Sequence, residues 1–353
     1  MESDSQQKIC VLGGGGFLGS HLVEALCAKT DFSVQAVDTV FNKLTIESPR
    51  LTITRADIAA SGVLDQVVEN NHVLISTTAL CNPSQYNTWP VDVIRESYDH
   101  LVPLVDLCAR HGRWLVHFST CEAYGKPLPG AEGQPMQEDE TPLLLGPVCK
   151  ERWSYACAKQ LLERLIWAQG RHHGLDFTII RPFNVIGPRM DFIPGLDGEG
   201  LPRVLACFMR ALLVGEPLRL VNGGAQRRSF IYVDDFIAGV IAILQDPSHC
   251  RGEIINIGHP GNDVSIAELA AKMIAVFSEL YGKRPGLGVE SVSADEFYGP
   301  GYDDCDRRVP DICKAERLVG FKPQTGLEEM LPVIIRDYVA RYGEAFQVNE
   351  AAR

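Results

Sequence analysis

The chain has 353 residues, of which 46% are hydrophobic, and its formal net charge at pH 7 is −12. This length and composition allow a large buried core, which predicts a globular chain with one main domain and a smaller lobe. The acidic balance disfavours nucleic acids and anionic membranes as partners.

The apolar runs are all shorter than a membrane span, and the first residues, Met1 to Lys8, lack the apolar segment of a secretory signal. We therefore expect a cytoplasmic protein. The 11 cysteines are odd in number, scattered and never spaced as Cys-x-x-Cys. This pattern favours reduced thiols over a disulfide framework or a zinc site, and we predict no metal.

The first predicted strand begins at Lys8 and runs into a glycine-rich turn, which is followed by an apolar-periodic helix from Phe17 to Leu26. The glycines are spaced Gly-x-x-Gly-x-x-Gly. In a dinucleotide-binding fold such glycines let the backbone approach a pyrophosphate, and the helix N-terminus stabilises its charge. The residues expected to bind the dinucleotide here are Gly13, Gly16, Phe17, Leu18 and Gly19.

Asp38 ends the second predicted strand, which begins at Ser33, about twenty residues after the glycine turn. A carboxylate at this place can accept hydrogen bonds from a ribose diol and repel a 2′-phosphate, which predicts NAD rather than NADP. The plainer alternative is a glycine turn followed by an incidental acid. After a third strand, from Leu51 to Arg55, we expect Asp57 and Ile58 at the adenine edge.

The fourth predicted strand, from His72 to Ser76, leads to Thr77 and Ala79, which we expect to lie beside the cofactor. An irregular segment that contains Cys81 follows, and then a predicted helix from about Val91 to Arg110.

The fifth predicted strand, from Trp114 to Ser119, ends in Thr120, Cys121 and Glu122. These residues lie at the carboxyl edge, where open α/β sheets bind ligands. Residues 126 to 152 are rich in proline, glycine and acids, which predicts a loop.

Tyr155 and Lys159 stand four residues apart in a predicted helix, so both side chains lie on one face. A phenol normally loses its proton near pH ~10, and a neighbouring cation favours the phenolate. Tyr155 is therefore expected to act as a base near neutrality. A chance pair on a solvated face is the alternative.

Together these motifs resemble the extended short-chain dehydrogenase/reductase family over essentially the whole chain. The resemblance implies an α/β fold, a Rossmann-like doubly wound parallel sheet with a smaller C-terminal substrate-binding lobe. It also implies that Thr120 joins Tyr155 and Lys159 in proton handling during hydride transfer. One departure is Ser97, where relatives commonly have Asn.

The segments around Arg152, Arg189 and Tyr298 more closely resemble the family's enzymes that act on UDP-glucuronic acid, the decarboxylase group that includes UDP-apiose/UDP-xylose synthases. Both kinds of enzyme in this group share a Glu after the hydroxyl residue and an Arg before a C-terminal proline, which fall here on Glu122 and Arg308. The synthases also carry two thiols, which match Cys81 and Cys121.

The resemblance implies that NAD oxidises C4 of UDP-glucuronic acid, so that CO2 is lost and a 4-keto-pentose forms. Ring contraction and reduction then give UDP-apiose, and direct reduction gives UDP-xylose. A thiol can assist the rearrangement only if its surroundings lower its pKa. The alternatives are a decarboxylase without rearrangement, a UDP-sugar 4-epimerase, and a non-catalytic NAD-binding regulatory protein.

The substrate is expected to contact several polar and aromatic side chains, and each of them has a plainer interpretation as packing or as a solvated charge. The predicted substrate ligands are Arg152, Asn184, Arg203, Arg227, Arg228, Tyr298 and Arg308. We expect residues 1–182 to form the NAD-binding domain, with its sheet completed by 226–261. Residues 183–225 and 262–353 would form the substrate lobe, and the resemblance implies a homodimer through helices 91–110 and 153–169.

Overall fold

The computed structural model describes residues 7–198, 201–299 and 302–348. Parts of three predictions lie outside these ranges: the polar N-terminal residues up to position 6, positions 300 and 301 of the segment after Tyr298, and residues 349–353 of the predicted lobe.

A parallel sheet of seven strands forms the centre of the molecule, in the order β11-β6-β5-β4-β1-β2-β3. The five strands predicted up to residue 119 are all present, with ends shifted by one residue at most, and the doubly wound fold is confirmed. The strands are β1 (Lys8–Leu12), β2 (Ser33–Asp38), β3 (Leu51–Arg55), β4 (Val73–Ser76), β5 (Trp114–Phe118), β6 (Phe177–Pro182), β7 (Val185–Ile186), β8 (Leu218–Val221), β9 (Arg227–Ser229), β10 (Ile231–Tyr232), β11 (Glu253–Ile257), β12 (Asp263–Ser265), β13 (Val289–Val292) and β14 (Arg307–Arg308).

Helices cover both faces of this sheet, which explains why its strands are continuously apolar. Ile9 and Val11 of β1 point into one buried cluster, and Cys10 and Leu12 point into the other. The helices are α1 (Phe17–Lys29), α2 (Val63–Asn70), α3 (Pro83–Thr88), α4 (Pro90–Ile94), α5 (Val102–His111), α6 (Ser154–His173), α7 (Val204–Val214), α8 (Val233–Gln245), α9 (Pro247–Cys250), α10 (Ile266–Tyr281), α11 (Ala294–Tyr298), α12 (Cys313–Val319) and α13 (Leu327–Tyr342).

The single helix predicted from about residue 91 to 110 is wrong, because the chain there forms three pieces. A π-helical segment, Arg95–Asp99, separates α4 from α5, and Pro103 lies in the first turn of α5, where its missing N–H is tolerated. Ser97 lies inside the π-helical segment and is fully buried. Within the described part of the chain its hydroxyl has no hydrogen-bond partner. The residue that departs from the family pattern thus coincides with the irregular turn.

Residues 226–261 were expected to complete the central sheet. Of these, only residues 253–257 form one of its strands, β11, which pairs with β6. β9 instead lies between β12 and β14 in a separate three-stranded sheet. The division into an NAD domain and a substrate lobe stays a prediction. None of the described helices is long and apolar enough to cross a membrane.

Candidate active site

A cavity of about 280 Å³ opens at the carboxyl ends of β4, β5 and β6. Loops that follow these neighbouring strands meet at one edge, as the doubly wound fold requires. Most of the predicted site residues line this cavity: Leu18, Thr77, Ala79, Cys81, Thr120, Cys121, Glu122, Arg152, Tyr155, Lys159, Asn184, Arg203, Arg228, Tyr298 and Arg308.

The glycine turn has the geometry that a dinucleotide needs. Gly13 has a φ of +83°, and a Cβ on Gly19 would lie 1.9 Å from the Gly13 carbonyl oxygen, so side chains are excluded at both positions. Gly16 precedes α1, and no side chain caps the helix. The N–H groups of the first turn, which begins with Phe17 and Leu18, can therefore bind a pyrophosphate.

Asp38 lies directly beside this turn. Its Oδ2 accepts a hydrogen bond from the Gly15 N–H at 3.0 Å, and its Oδ1 accepts one from the Thr39 N–H at 2.7 Å. These bonds fix the carboxylate and leave further lone pairs for a ribose diol. Asp57 and Ile58 do not line the cavity, and their contact with adenine stays a prediction.

Tyr155, Lys159 and Thr120 are brought together at the base of the cavity. The Thr120 hydroxyl lies beside the Tyr155 phenol, and Lys159 Nζ donates to the Phe118 carbonyl at 2.9 Å. The Tyr155 ring stacks on Tyr86, with centroids 5.0 Å apart. The sequence analysis did not single out Tyr86, which lies on α3, shortly after Cys81.

That Tyr155 acts as a base near neutrality stays a prediction, and burial opposes it in the protein by itself. Burial raises the pKa of the Tyr155 phenol well above 10, and nearby Cys81 and Glu122 raise it further. Burial also lowers the pKa of Lys159 to about 8, so a growing fraction of its side chains is neutral at mildly alkaline pH. In the protein by itself, desolvation outweighs the neighbouring cation.

Two Arg-Arg pairs lie in register on the parallel strands β9 and β14, Arg227 beside Arg307 and Arg228 beside Arg308. Successive side chains of a strand face opposite sides. Arg227 and Arg307 share the Asp263 carboxylate, at 3.0 and 2.8 Å. Arg227 does not line this cavity, because strand alternation turns its side chain to the other face, and its predicted contact with the substrate stays a prediction.

On the inner face, Asp304 receives three guanidinium groups. Its carboxylate lies 2.5 Å from Arg308, 2.9 Å from Arg228 and 3.4 Å from Arg152, and it accepts a hydrogen bond from the Tyr302 hydroxyl at 3.1 Å. Burial by itself would raise the pKa of the Asp304 carboxyl, but the arginines, led by Arg152, hold it well below its usual value. The sequence reasoning missed Asp304, although its place four residues before Arg308 was a usable signal.

Glu122 pairs with Arg152 at 2.7 Å. The three arginines and the carboxylates of Glu122 and Asp304 leave the cluster with one excess positive charge. Arg152 and Arg308 are both 2% exposed. Within the described ranges, Nε of each is buried without a hydrogen-bond partner. Buried unpaired donors next to an excess cation favour an anionic ligand.

The other predicted substrate residues differ in their surroundings. Arg203 is held by two bonds to Asp191, at 3.0 and 2.7 Å, and lies over the Phe17 ring. Asn184 donates to the Ser229 carbonyl at 3.1 Å. Tyr298 stacks on Tyr302 with centroids 4.1 Å apart. This pair offers a flat aromatic surface in the cavity wall.

The two predicted thiols lie on the same cavity but in different environments. Cys81 is exposed, whereas Cys121 is 3% exposed. Burial raises the pKa of the Cys121 thiol to about 11, and the nearby Arg308 offsets only part of this. The condition of a lowered pKa is therefore not met at Cys121, which stays a neutral thiol at pH 7.

A family model described as NAD dependent epimerase/dehydratase family matches residues 9–258. The chain belongs to this family. The description of the family names NAD as its cofactor, so the cofactor predicted from Asp38 is confirmed. The geometry of the glycine turn described above fits NAD. No group of three potential ligands that could hold a metal ion is present among the residues described.

Relatives of this epimerase/dehydratase extend over nearly its whole length. It is 42% identical to a UDP-D-apiose/UDP-D-xylose synthase from Oryza sativa subsp. japonica, over 98% of this chain and 92% of the relative. It is 43% identical to UDP-D-apiose/UDP-D-xylose synthase 1 from Arabidopsis thaliana, over 96% of this chain and 92% of the relative. The crystal structure of PbgP3 protein from Burkholderia pseudomallei is similar, with 30% identity, a TM-score of 0.85, and coverage of 97% and 99% of the two chains.

Proposed function

We propose that this chain decarboxylates UDP-glucuronic acid oxidatively to a UDP-4-keto-pentose and converts that intermediate to UDP-apiose, UDP-xylose or both. The observation that carries the proposal is the cavity, where Tyr155 and Thr120 lie on the same surface as a buried arginine cluster with excess positive charge. A sugar that bears both an oxidisable hydroxyl and a carboxylate fits this arrangement. The names of the relatives, UDP-D-apiose/UDP-D-xylose synthases, give the same two products.

In the first step, Tyr155 accepts the proton of the C4 hydroxyl, and Thr120 donates a hydrogen bond to the same oxygen. The glycine turn and Asp38 would hold NAD, which would supply the acceptor for the C4 hydride and the source for its return, and the positive charge of its ring would favour the phenolate of Tyr155. Lys159 holds the phenolate once it has formed. The high pKa of Tyr155 in the protein by itself agrees with a base that forms only with both ligands present.

The resulting ketone is β to the C6 carboxylate, so the C5–C6 bond can break with loss of CO2, and its electrons pass into an enolate. The guanidinium groups of Arg152 and Arg308, which line the cavity, are suited to orient the carboxylate before this bond breaks. Thr120 stabilises the enolate oxygen. Glu122 is a carboxylate in its pair with Arg152, so it would first take up a proton from solvent through its partly exposed side chain and then pass this proton to C5.

Formation of the branched sugar requires cleavage of the C2–C3 bond and a new bond that closes a furanose. Because burial raises its pKa, Cys121 does not act as the thiolate that the sequence analysis required; in its neutral form it would instead donate its proton to the enolate oxygen left by C2–C3 cleavage and take the proton back when the new C–C bond forms. Cys81 is the more accessible of the two thiols and can exchange protons with solvent. Arg203, Arg228 and Tyr298 would hold the UDP portion.

We also propose a cytoplasmic homodimer. α4 and α6 pack on each other, and both present exposed apolar side chains. Val91 and Ile94 lie on α4, Trp89 directly precedes it, and Leu161 and Trp167 lie on α6. An apolar surface of this kind is typical of an interface.

The function is tested by incubation of the purified protein with UDP-glucuronic acid and by NMR of the products. Release of CO2 with UDP-apiose or UDP-xylose is the expected result. A product that keeps C6 and differs only at C4 would assign a 4-epimerase and overturn the proposal. Absence of any turnover with NAD supplied would favour the regulatory alternative.

A further inference from the structure

Two segments contact the N-terminal end of α1 from different sides. Val40, in the loop after β2, packs closely against Gly15. A Cβ added to Gly15 would lie 1.8 Å from the Val40 carbonyl oxygen. On the other side, a Cβ on Gly187 would lie 3.5 Å from the Phe17 ring, and the Pro188 carbonyl is 3.1 Å from His21 Nε2. The pyrophosphate-binding end of the helix is thus enclosed between the loop after β2 and the segment after β7.

The two segments are tied to each other by a pair of cations. Lys43 Nζ donates to the carbonyl oxygens of Arg189 and Met190, at 2.7 Å each. Arg189 in turn donates from its guanidinium group to the Lys43 carbonyl. Each side chain therefore binds the backbone of the other segment.

Glu24, on the second turn of α1, anchors this contact to the helix. Its carboxylate accepts two hydrogen bonds from Arg189, at 2.6 and 2.8 Å, and two from Thr45, at 3.1 and 3.0 Å. The side chains of Glu24 and Arg189 are only 20% and 19% exposed, so the bidentate pair is shielded from solvent.

The backbone at Arg189 supports a functional role for the contact. Its φ is +62°, in the left-handed region that a residue other than glycine rarely adopts. The Arg189 N–H donates to the Asp337 carboxylate at 3.0 Å, which helps to hold this conformation. Unfavourable backbone conformations persist where the surrounding structure requires them, and they are common at binding sites.

The tied segments connect the two ends of the dinucleotide site. The loop after β2 starts next to Asp38, and Met190 of the other segment lines the cavity that contains Tyr155. A dinucleotide that reaches from Asp38 to Tyr155 would pass beside the contact between Lys43 and Arg189.

We propose that Lys43, Arg189 and Glu24 form a clasp that closes one edge of the dinucleotide cleft and keeps NAD bound between turnovers. In part this rests on the proposed function, because a reaction that removes a hydride and returns it leaves the cofactor in its starting state. Exchange of NAD would then serve no purpose.

The test is the rate of cofactor exchange, measured on the holoprotein without any sugar. The protein is loaded with NAD and mixed with excess 1,N⁶-etheno-NAD, and the released NAD is quantified over time. We expect Lys43→Met and Glu24→Gln each to raise the release rate about tenfold or more, a factor that corresponds to one lost contact. Lys272→Met, which removes an ion pair with Glu328 on α10 and α13, is the matched control and should release NAD at the wild-type rate.

A clasp limits entry as well as exit, so the association rate should rise together with the release rate. Release rates equal to the wild type in both variants would overturn the proposal. Faster release with an unchanged association rate would overturn it too, because Lys43 would then be a direct ligand of the cofactor. If one variant fails to fold, the other decides. Because no sugar is present, the result is independent of the substrate assignment, which the product analysis by NMR tests separately.

Discussion

Tyr155 is the side chain on which the proposed oxidation depends most directly. Replacement by Phe keeps the ring that stacks on Tyr86 but removes the proton acceptor. We expect Tyr155→Phe to bind NAD like the wild type and to lose about 10²- to 10⁴-fold in the rate of UDP-glucuronate turnover. The measurement is NAD binding by titration together with initial rates. Turnover within tenfold of the wild type would remove Tyr155 from this role.

Asp304 pairs with three guanidinium groups, of which those of Arg152 and Arg308 are buried, so its removal leaves their charges unbalanced. We expect Asp304→Asn to lower the free energy of unfolding by about 3–5 kcal/mol at pH 7. The pKa of Asp304 is lower in the folded than in the unfolded chain, so its contribution is complete above pH ~4 and is lost as the pH falls through the folded value. The difference between wild type and variant in urea unfolding should therefore shrink at acidic pH. A difference that grows as the pH falls would contradict this assignment.

The thiols act on the rearrangement alone if the proposal is right, since both products arise from the same 4-keto-pentose. We expect Cys121→Ser, and less strongly Cys81→Ser, to reduce UDP-apiose while CO2 release and UDP-xylose formation continue. Serine keeps the approximate volume, but its hydroxyl is a far weaker acid. Product ratios by NMR decide the matter. Cys157→Ser, on the exposed side of α6, is the control. Unchanged ratios in both variants would make the thiols packing residues.

The glycine turn and α1 act as one element, because Gly19 packs directly against the Gly13 carbonyl. A methyl group at Gly19 would lie 1.9 Å from that oxygen, so the turn must shift. We expect Gly19→Ala to weaken NAD binding and to cost about 1–3 kcal/mol of stability. Gly288→Ala is the control, since nothing lies within 4 Å of its added Cβ. Equal NAD affinity in both variants, measured by titration, would show that the turn tolerates the shift.

For the whole molecule, the proposed homodimer predicts where a new charge will be tolerated. Val91 and Leu161 are 57% and 48% exposed on α4 and α6, and Val289 is 53% exposed on β13. We expect Val91→Arg combined with Leu161→Arg to dissociate the protein, because two charges would enter an apolar interface. Val289→Arg should leave the mass unchanged. Sedimentation velocity distinguishes these outcomes, and a wild type that sediments as a monomer would contradict the interface.

The sequence by itself determined the central fold and much of the reacting end of the site. β1, the glycine turn and Asp38 are local patterns in which the period of apolar residues and the spacing of glycines specify the backbone directly. The pair Tyr155 and Lys159 is specified by helical spacing alone. These features depend on neighbours in the chain, so they can be identified without knowledge of what packs against them.

Only the tertiary structure decided which charges meet and what burial does to them. Arg227 and Arg228 are adjacent in the chain, yet strand pairing with β14 sends one to Asp263 and the other to Asp304. Glu122 pairs with Arg152, thirty residues away in the chain, and burial raises the pKa of the Cys121 thiol. Ion pairing and desolvation depend on distances between residues far apart in sequence, and no local pattern of residues encodes those distances.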